Sequence, residues 1–136
     1  METLLLFNQQ VLQCQDDAYT LAWYLLGDET QAEEVMQSAV EAAYSCFASG
    51  KPDCRRLILS FVVEQCRRRK PPARVPNGTA VHHRLRALPE PERAVLVLID
   101  VLGLAYREAA CIIGRPLNDI GRLLARARRK IKDQAN

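Results

Sequence analysis

The stretch AYREAACIIGRPLNDIGRLLARARRKIK, residues 105–132, divides at Gly114-Arg115-Pro116-Leu117, a turn-forming run. The first part, about residues 105–113, places Ala109, Ala110 and Ile113 on one side of a short helix. In the second part, at about 100° per residue, Ile120, Leu123, Leu124, Ala127 and Ile131 share a side. Arg122, Arg126 and Arg129 fall opposite, and Arg128, Lys130 and Lys132 lie on the flanks. Asn118 is expected to cap this helix. Six of the thirteen residues from 120 to 132 are Arg or Lys and none is acidic. A solvated face ordinarily mixes both signs, because like charges four residues apart repel. A face of one sign suits an anion, and nucleic-acid phosphate fits best. Two helices, a glycine-containing turn and an exposed basic second helix describe a helix-turn-helix, whose second helix enters the major groove. Helical hairpins with no DNA role share that pattern, so the rest of the chain has to decide.

Just upstream, Pro89 or Pro91 starts a helix, in a position where proline is tolerated. Val95, Leu98, Ile99 and Leu102 form its inward stripe, Gly103 ends it, and Asp100 lies on the opposite side with no special role. Residues 71–85 carry Pro71-Pro72, Pro76 and Asn77-Gly78 and no apolar period, which reads as a linker. His82-His83 fall in it, and two adjacent histidines with no third ligand do not make a metal site.

The front of the chain is also helical. Leu4, Leu5, Val11 and Leu12 recur at helical spacing over residues 3–15, and Ala18, Leu21, Ala22 and Leu25 continue the pattern to Gly27. Asp28 and Gln31 make a capping-box pattern for a helix reaching about Phe47, with Ala32, Val35, Met36, Ala39, Val40, Ala43 and Phe47 inward. Glu33, Glu34, Gln37 and Glu41 occupy its outer face. After Ser49-Gly50-Lys51-Pro52 a further helix, about 54–69, buries Leu57, Ile58, Phe61 and Val62 and ends in Arg67-Arg68-Arg69-Lys70. Four cations in a row exceed what a helix carboxyl end needs. The expected fold is all-α: a helical bundle at 1–70, a Pro/Gly linker at 71–85 and a helix-turn-helix domain at 86–136.

Composition narrows the function. Residues 1–50 hold eight acidic side chains and no Lys or Arg, whereas residues 51–136 hold all nineteen basic ones and eight acidic. That split points to two partners of opposite charge, or to two halves that attract each other. Aromatic content of 6% disfavours base-stacking platforms. The five cysteines form no C-x-x-C, which disfavours a zinc ribbon or a thiol redox motif and fits core thiols in a reducing cytoplasm. Leu4-Leu5-Leu6-Phe7 is too short for a secretory h-region, and no apolar run approaches a membrane span. There is no nucleophile–base signature, phosphate-cradling glycine loop or metal spacing, so neither catalytic residues nor cofactors are expected.

Residues 88–131 resemble region 4 of extracytoplasmic-function (ECF) sigma factors of bacterial RNA polymerase. The marks are Leu88-Pro89, Arg93, Gly103-Leu104, Tyr106, Glu108, Ala110, Gly114, Pro116 and Leu124-x-Arg126-Ala127-Arg128. Residues 22–47, AWYLLGDETQAEEVMQSAVEAAYSCF, resemble region 2 of that family, and residues 54–70 its following helix. The resemblance implies a cytoplasmic, non-enzymatic transcription factor that binds core RNA polymerase and promoter DNA and is held by an anti-sigma factor. Glu33, Glu34, Gln37 and Glu41 would dock on the β′ coiled coil, and region 4 on the β flap. Glu64, Arg67, Arg68 and Arg69 would face the −10 element, and Asn118, Asp119, Arg122, Arg126 and Arg129 the −35 major groove.

The chain departs from the family pattern in places. Its last helix starts Asn118-Asp119-Ile120-Gly121-Arg122-Leu123-Leu124 where Gly-Thr-Val-x-Ser-Arg-Leu is usual, and Ala105 stands where a Ser cap is usual. Asp53, Ser60 and Glu64 replace the usual Trp, Asn and Asp. Two other uses of the same residues therefore stand beside initiation: a sigma-like decoy acting by protein contact, and an unrelated helix-turn-helix DNA binder.

Overall fold

The computed structural model describes residues 2–50, 53–69 and 80–135. Among them are seven α-helices and no strand: α1 Glu2–Leu26, α2 Glu29–Ala48, α3 Cys54–Arg68, α4 Ala80–Arg86, α5 Glu90–Leu96, α6 Tyr106–Ile113 and α7 Leu117–Ala135. The Lys51-Pro52 break, Lys70 and the 71–79 part of the expected linker lie outside the described residues.

Helices α1, α2 and α3 pack on one another, α5, α6 and α7 pack on one another, and α3 lies against α6. Gly27, at φ 72°, closes α1. Its N–H completes the last helical turn by donating to the Trp23 carbonyl at 2.7 Å, and its left-handed φ, which glycine adopts freely, turns the chain out of the helix. Asp28 then caps α2 by accepting from the Thr30 N–H at 3.2 Å, and Asp53 caps α3 by accepting from the Arg56 N–H at 3.1 Å. Asp53, one of the departures from the family pattern, thus starts the helix it precedes.

The first turns of α1 differ from expectation. Leu4, Leu5 and Leu12 are exposed, and Phe7 and Cys14 point inward instead. One uninterrupted helix explains this. The register set by Leu21 runs back seven residues at a time to Cys14 and Phe7, and the leucines fall off that line. Phe7 meets the rings of Tyr44 and Phe47 at 5.1 Å and 5.4 Å.

Helix α3 is buried on two sides. Ile58 and Val62, expected inside, are buried, and Leu57 and Phe61 are half-buried. Leu59 and Val63 are also buried, at 1% and 3% exposure. Leu59 shares a crevice with Ile112 of α6, and Val63 shares one with Ala94 of α5. Burying such side chains contributes about 1.5–3 kcal/mol each, so the junction of the two halves is partly apolar.

Two local features bring further elements onto this junction. Ala80–Arg86, at the end of the stretch read as a linker, is the helix α4, and its His82 is buried with its ring 4.1 Å from Trp23 and 5.7 Å from Tyr24. Helix α5 continues through a π-helical turn, Val97–Val101, in which the Leu102 N–H reaches the Val97 carbonyl at 3.0 Å. The wider turn rotates everything after it, as π turns do. Val97 becomes buried, and Asp100 swings toward α7.

Candidate nucleic-acid interface

The helix-turn-helix is formed by α6, the turn 114–116 and α7. Gly114 sits at φ 78° and ψ 38°, the left-handed cap that lets its N–H and that of Arg115 return to the Ala110 carbonyl at 2.9 Å and 3.2 Å. Ala105, at the start of α6, offers no side-chain acceptor. Its own N–H donates to Glu108 Oε1 at 3.2 Å, which supplies half of a capping box. Ile112, Ile113, Ile120, Leu123, Leu124 and Ala127 close the core between the two helices. The apolar side of α7 is therefore the one read from the sequence. Its start is not: α7 begins at Leu117, so Asn118 lies within the first turn rather than capping it, and is exposed.

The six cations of α7 divide into three sets. Arg128 donates to Asp100 from Nη2 at 2.6 Å and from Nε at 3.0 Å. Hydrogen bonding to Asp100, with a smaller contribution from Tyr106, raises the Arg128 pKa further. Lys130 donates to both oxygens of the buried Glu92 carboxylate, at 2.9 Å and 3.1 Å. These flanking cations tie α7 to α5 and its π turn, which gives Asp100 a role its sequence position hid. Arg122 donates to Asp119, one turn back, at 2.7 Å. Arg126, Arg129 and Lys132 are exposed and make no ion pair among the described residues. Arg115, Asp119, Arg122, Leu123 and Arg126 line one cleft of about 150 Å³ at the front of α7. Arg115 was missed because it sits in the turn, outside any helical period; its place just ahead of the second helix is the signal that finds it.

The expected −10 side is different. Arg67, Arg68 and Arg69 do lie together at the end of α3, with Glu64 one turn earlier. Each arginine is engaged: Arg67 with Glu90 of α5, Arg68 with Glu64 at 2.7 Å, and Arg69 with Glu34 of α2 at 3.1 Å. Glu33, Glu34, Gln37 and Glu41 are all exposed along α2. The Glu34–Arg69 pair places the expected polymerase-binding face beside the expected DNA-binding end.

All five cysteines are free thiols. Burial pushes Cys54 and Cys66 up to about 12, so neither carries a reactive thiolate at neutral pH. Among the described residues no helix is long and apolar enough to cross a membrane.

Comparison with known proteins agrees with this geometry. Residues 79–131 match the family "Sigma-70, region 4". The chain is 24% identical, over 155 aligned positions covering 93% of its length, to the ECF RNA polymerase sigma factor SigE of Mycolicibacterium smegmatis, and spans 60% of that protein's length. Among solved structures, CnrH in complex with the cytosolic domain of CnrY superposes with a TM-score of 0.82 at 25% identity, covering 95% of this chain and 86% of that one. The sigma factor RpoE of Bartonella quintana, in complex with the anti-sigma factor NepR, shares the fold with a TM-score of 0.75 at 19% identity, covering 93% and 94%. Residues 79–131 thus match the sigma-70 region 4 family, and the chain over most of its length is similar in sequence and fold to ECF sigma factors.

Proposed function

We propose that the chain is an ECF-type sigma factor that works in the cytoplasm, binds core RNA polymerase and directs initiation at particular promoters. The observation that carries this reading is the cationic front of α7 in a region 4 domain: Arg115, Arg122, Arg126 and Arg129 are exposed, while the apolar side of the same helix is packed. In that reading α7 lies in the −35 major groove. Cations contact phosphates and set register, and Asn118, Asp119 and Arg122 meet base edges. Glu64 and Arg67 to Arg69 face the −10 element. The exposed acidic row of α2 meets the β′ coiled coil, and region 4 the β flap. An anti-sigma partner is part of this reading, supported by the similar fold of the sigma factor RpoE, which is named in complex with the anti-sigma factor NepR. No bond chemistry is part of this function.

A second reading is favoured by one observation. All three terminal arginines of α3 are taken up by carboxylates of the same chain, which suits a sigma-like regulator that binds protein and does not melt promoters. Run-off transcription with core polymerase, this protein and DNA from upstream of its own gene separates the two. Initiation predicts a specific transcript. Core binding with no transcript selects the regulator.

A further inference from the structure

We propose that Cys14 and Cys54 are a disulfide-forming pair that hydroperoxides oxidise, tying α1 to the first turn of α3. The pair goes beyond the promoter-binding reading and is independent of it.

Three observations place the chemistry. First, the two thiols meet. Cys14 of α1 is 3% exposed, Cys54 opens α3 at 1% exposure, and both are reduced. The Cys54 S–H donates a hydrogen bond to Cys14 Sγ, so the sulfurs are already in contact. A disulfide needs its two residues on closely packed, facing elements, and α1 packs on α3. Second, one of the sulfurs is reachable. Cys14 lines an open cavity of about 790 Å³ with Gln10, Gln13, Asp17, Asp53 and Arg55. Walls of that polarity admit water and a small peroxide. Arg55 is fixed there by Asp17, at 3.0 Å. Third, the surroundings assign the roles. Burial raises the Cys14 pKa, while the hydrogen bond from Cys54 and the Arg55 guanidinium both lower it, against smaller raises from Asp17 and Asp53. Cys54 meets raising influences alone: burial first, then Cys14 and Asp53. Cys14 is therefore the attacking sulfur and Cys54 the resolving one.

The reaction balances in two steps. The Cys14 thiolate attacks one oxygen of hydrogen peroxide and the O–O bond breaks. The other oxygen leaves as hydroxide, takes up the proton that Cys14 lost and becomes water, and Cys14 becomes a sulfenic acid. The Cys54 sulfur then attacks the Cys14 sulfur. The S–S bond forms, the S–O bond breaks, and the departing hydroxide leaves as water with the Cys54 proton. Two electrons pass from the thiols to one peroxide, which ends as two waters. Little of Cys14 is thiolate at neutral pH, so the pair answers sustained rather than brief exposure. The new bond encloses the whole of α2 in a covalent loop between α1 and α3. Such a loop restrains the unfolded chain, and it secures the bundle that carries Glu33, Glu34, Gln37 and Glu41.

The test uses the full chain and hydrogen peroxide. The folded protein is held in peroxide, quenched, alkylated under denaturing conditions and read by peptide mass spectrometry. The pair predicts a linked Cys14–Cys54 peptide in the majority of chains, two hydrogens lighter than its separate parts and released by dithiothreitol. The thermal midpoint of the oxidised form should lie roughly 10 °C above that of the reduced form. In a Cys54→Ser variant, Cys14 should stop at the sulfenic acid, which dimedone labels. If that variant does not fold, the linkage in the wild-type chain decides alone. Two results would overturn the pair. One is full alkylation of both Cys14 and Cys54 after a peroxide dose that oxidises the exposed Cys111. The other is Cys14 carried on to sulfinic or sulfonic acid while Cys54 remains a thiol.

Discussion

The basic end of α3 and the basic front of α7 are built from the same side chains but sit in different electrostatic surroundings. In α3, Arg67, Arg68 and Arg69 each meet a glutamate, two of them on other helices. In α7, the flanking Arg128 and Lys130 are spent on holding the helix against Asp100 and Glu92, and Arg126 and Arg129 remain exposed. A count of cations along a sequence therefore does not measure the charge offered to a partner. What matters is which cations the neighbouring elements have already taken. Exposed pairs of this kind are individually weak, about 0–1 kcal/mol, so the α3 pairs can exchange for phosphates, whereas Arg126 and Arg129 of α7 need no exchange.

The comparison can be broken most severely at the acidic row of α2. Glu33→Lys with Glu34→Lys reverses two exposed charges, one of which also holds Arg69. The expected outcome is loss of co-purification with core polymerase and an unchanged helical circular-dichroism spectrum. Full retention of polymerase would remove α2 from that role.

A smaller effect tests the brace between the halves. Burial lowers the His82 pKa below its ordinary value, against an opposing backbone hydrogen bond with Trp23 and with a smaller lowering by His83. The fold thus favours the neutral ring. Its contribution to stability is fully present above the ordinary imidazole pKa of about 6.5 and is lost as pH falls through the lower folded value. Thermal melts from pH 7.5 to pH 5 should show falling stability, and His82→Phe should flatten that part of the profile. A wild-type profile that is level over this range would contradict the packing of His82.

The smallest effect lies in α7 itself. Gly121 costs helix stability, and a Cβ there would meet only Tyr106 Cε2 at 4.0 Å, an ordinary contact. Gly121→Ala should stabilise the protein by about 1 kcal/mol in denaturant unfolding. A loss of stability would mean that the helix start is shaped differently.

Much of this was legible in the sequence, for physical reasons that differ by element. The apolar and basic sides of α7 follow from one helical period, because the helix has one packed side and one open side. Helix α3 has packed partners on two sides, so a single stripe, Leu57, Ile58, Phe61 and Val62, described only part of its burial and left out Leu59 and Val63. The leucines near the start of α1 imitated a core stripe, but the register came from Leu21 onward. Asp100 was hidden by the π turn, which no period of 3.6 predicts. His82 was read as part of a linker because α4 is too short to show a period, and its burial depends on Trp23 and Tyr24, nearly sixty residues away. At the interface itself, Arg126 and Arg129 stand where the period placed them, while the pairing of Arg67 to Arg69 required knowing where Glu90 and Glu34 would fall.

The central claim is that α7 offers its exposed arginines to nucleic-acid phosphate. The direct measurement is binding of the full chain to a promoter-length duplex across a salt series, beside an Arg126→Ala, Arg129→Ala variant. Affinity of the variant should fall roughly tenfold at low salt, and the slope of log affinity against log salt should shrink by about 1 for each arginine removed. Unchanged affinity together with an unchanged slope would take the face of α7 out of DNA recognition.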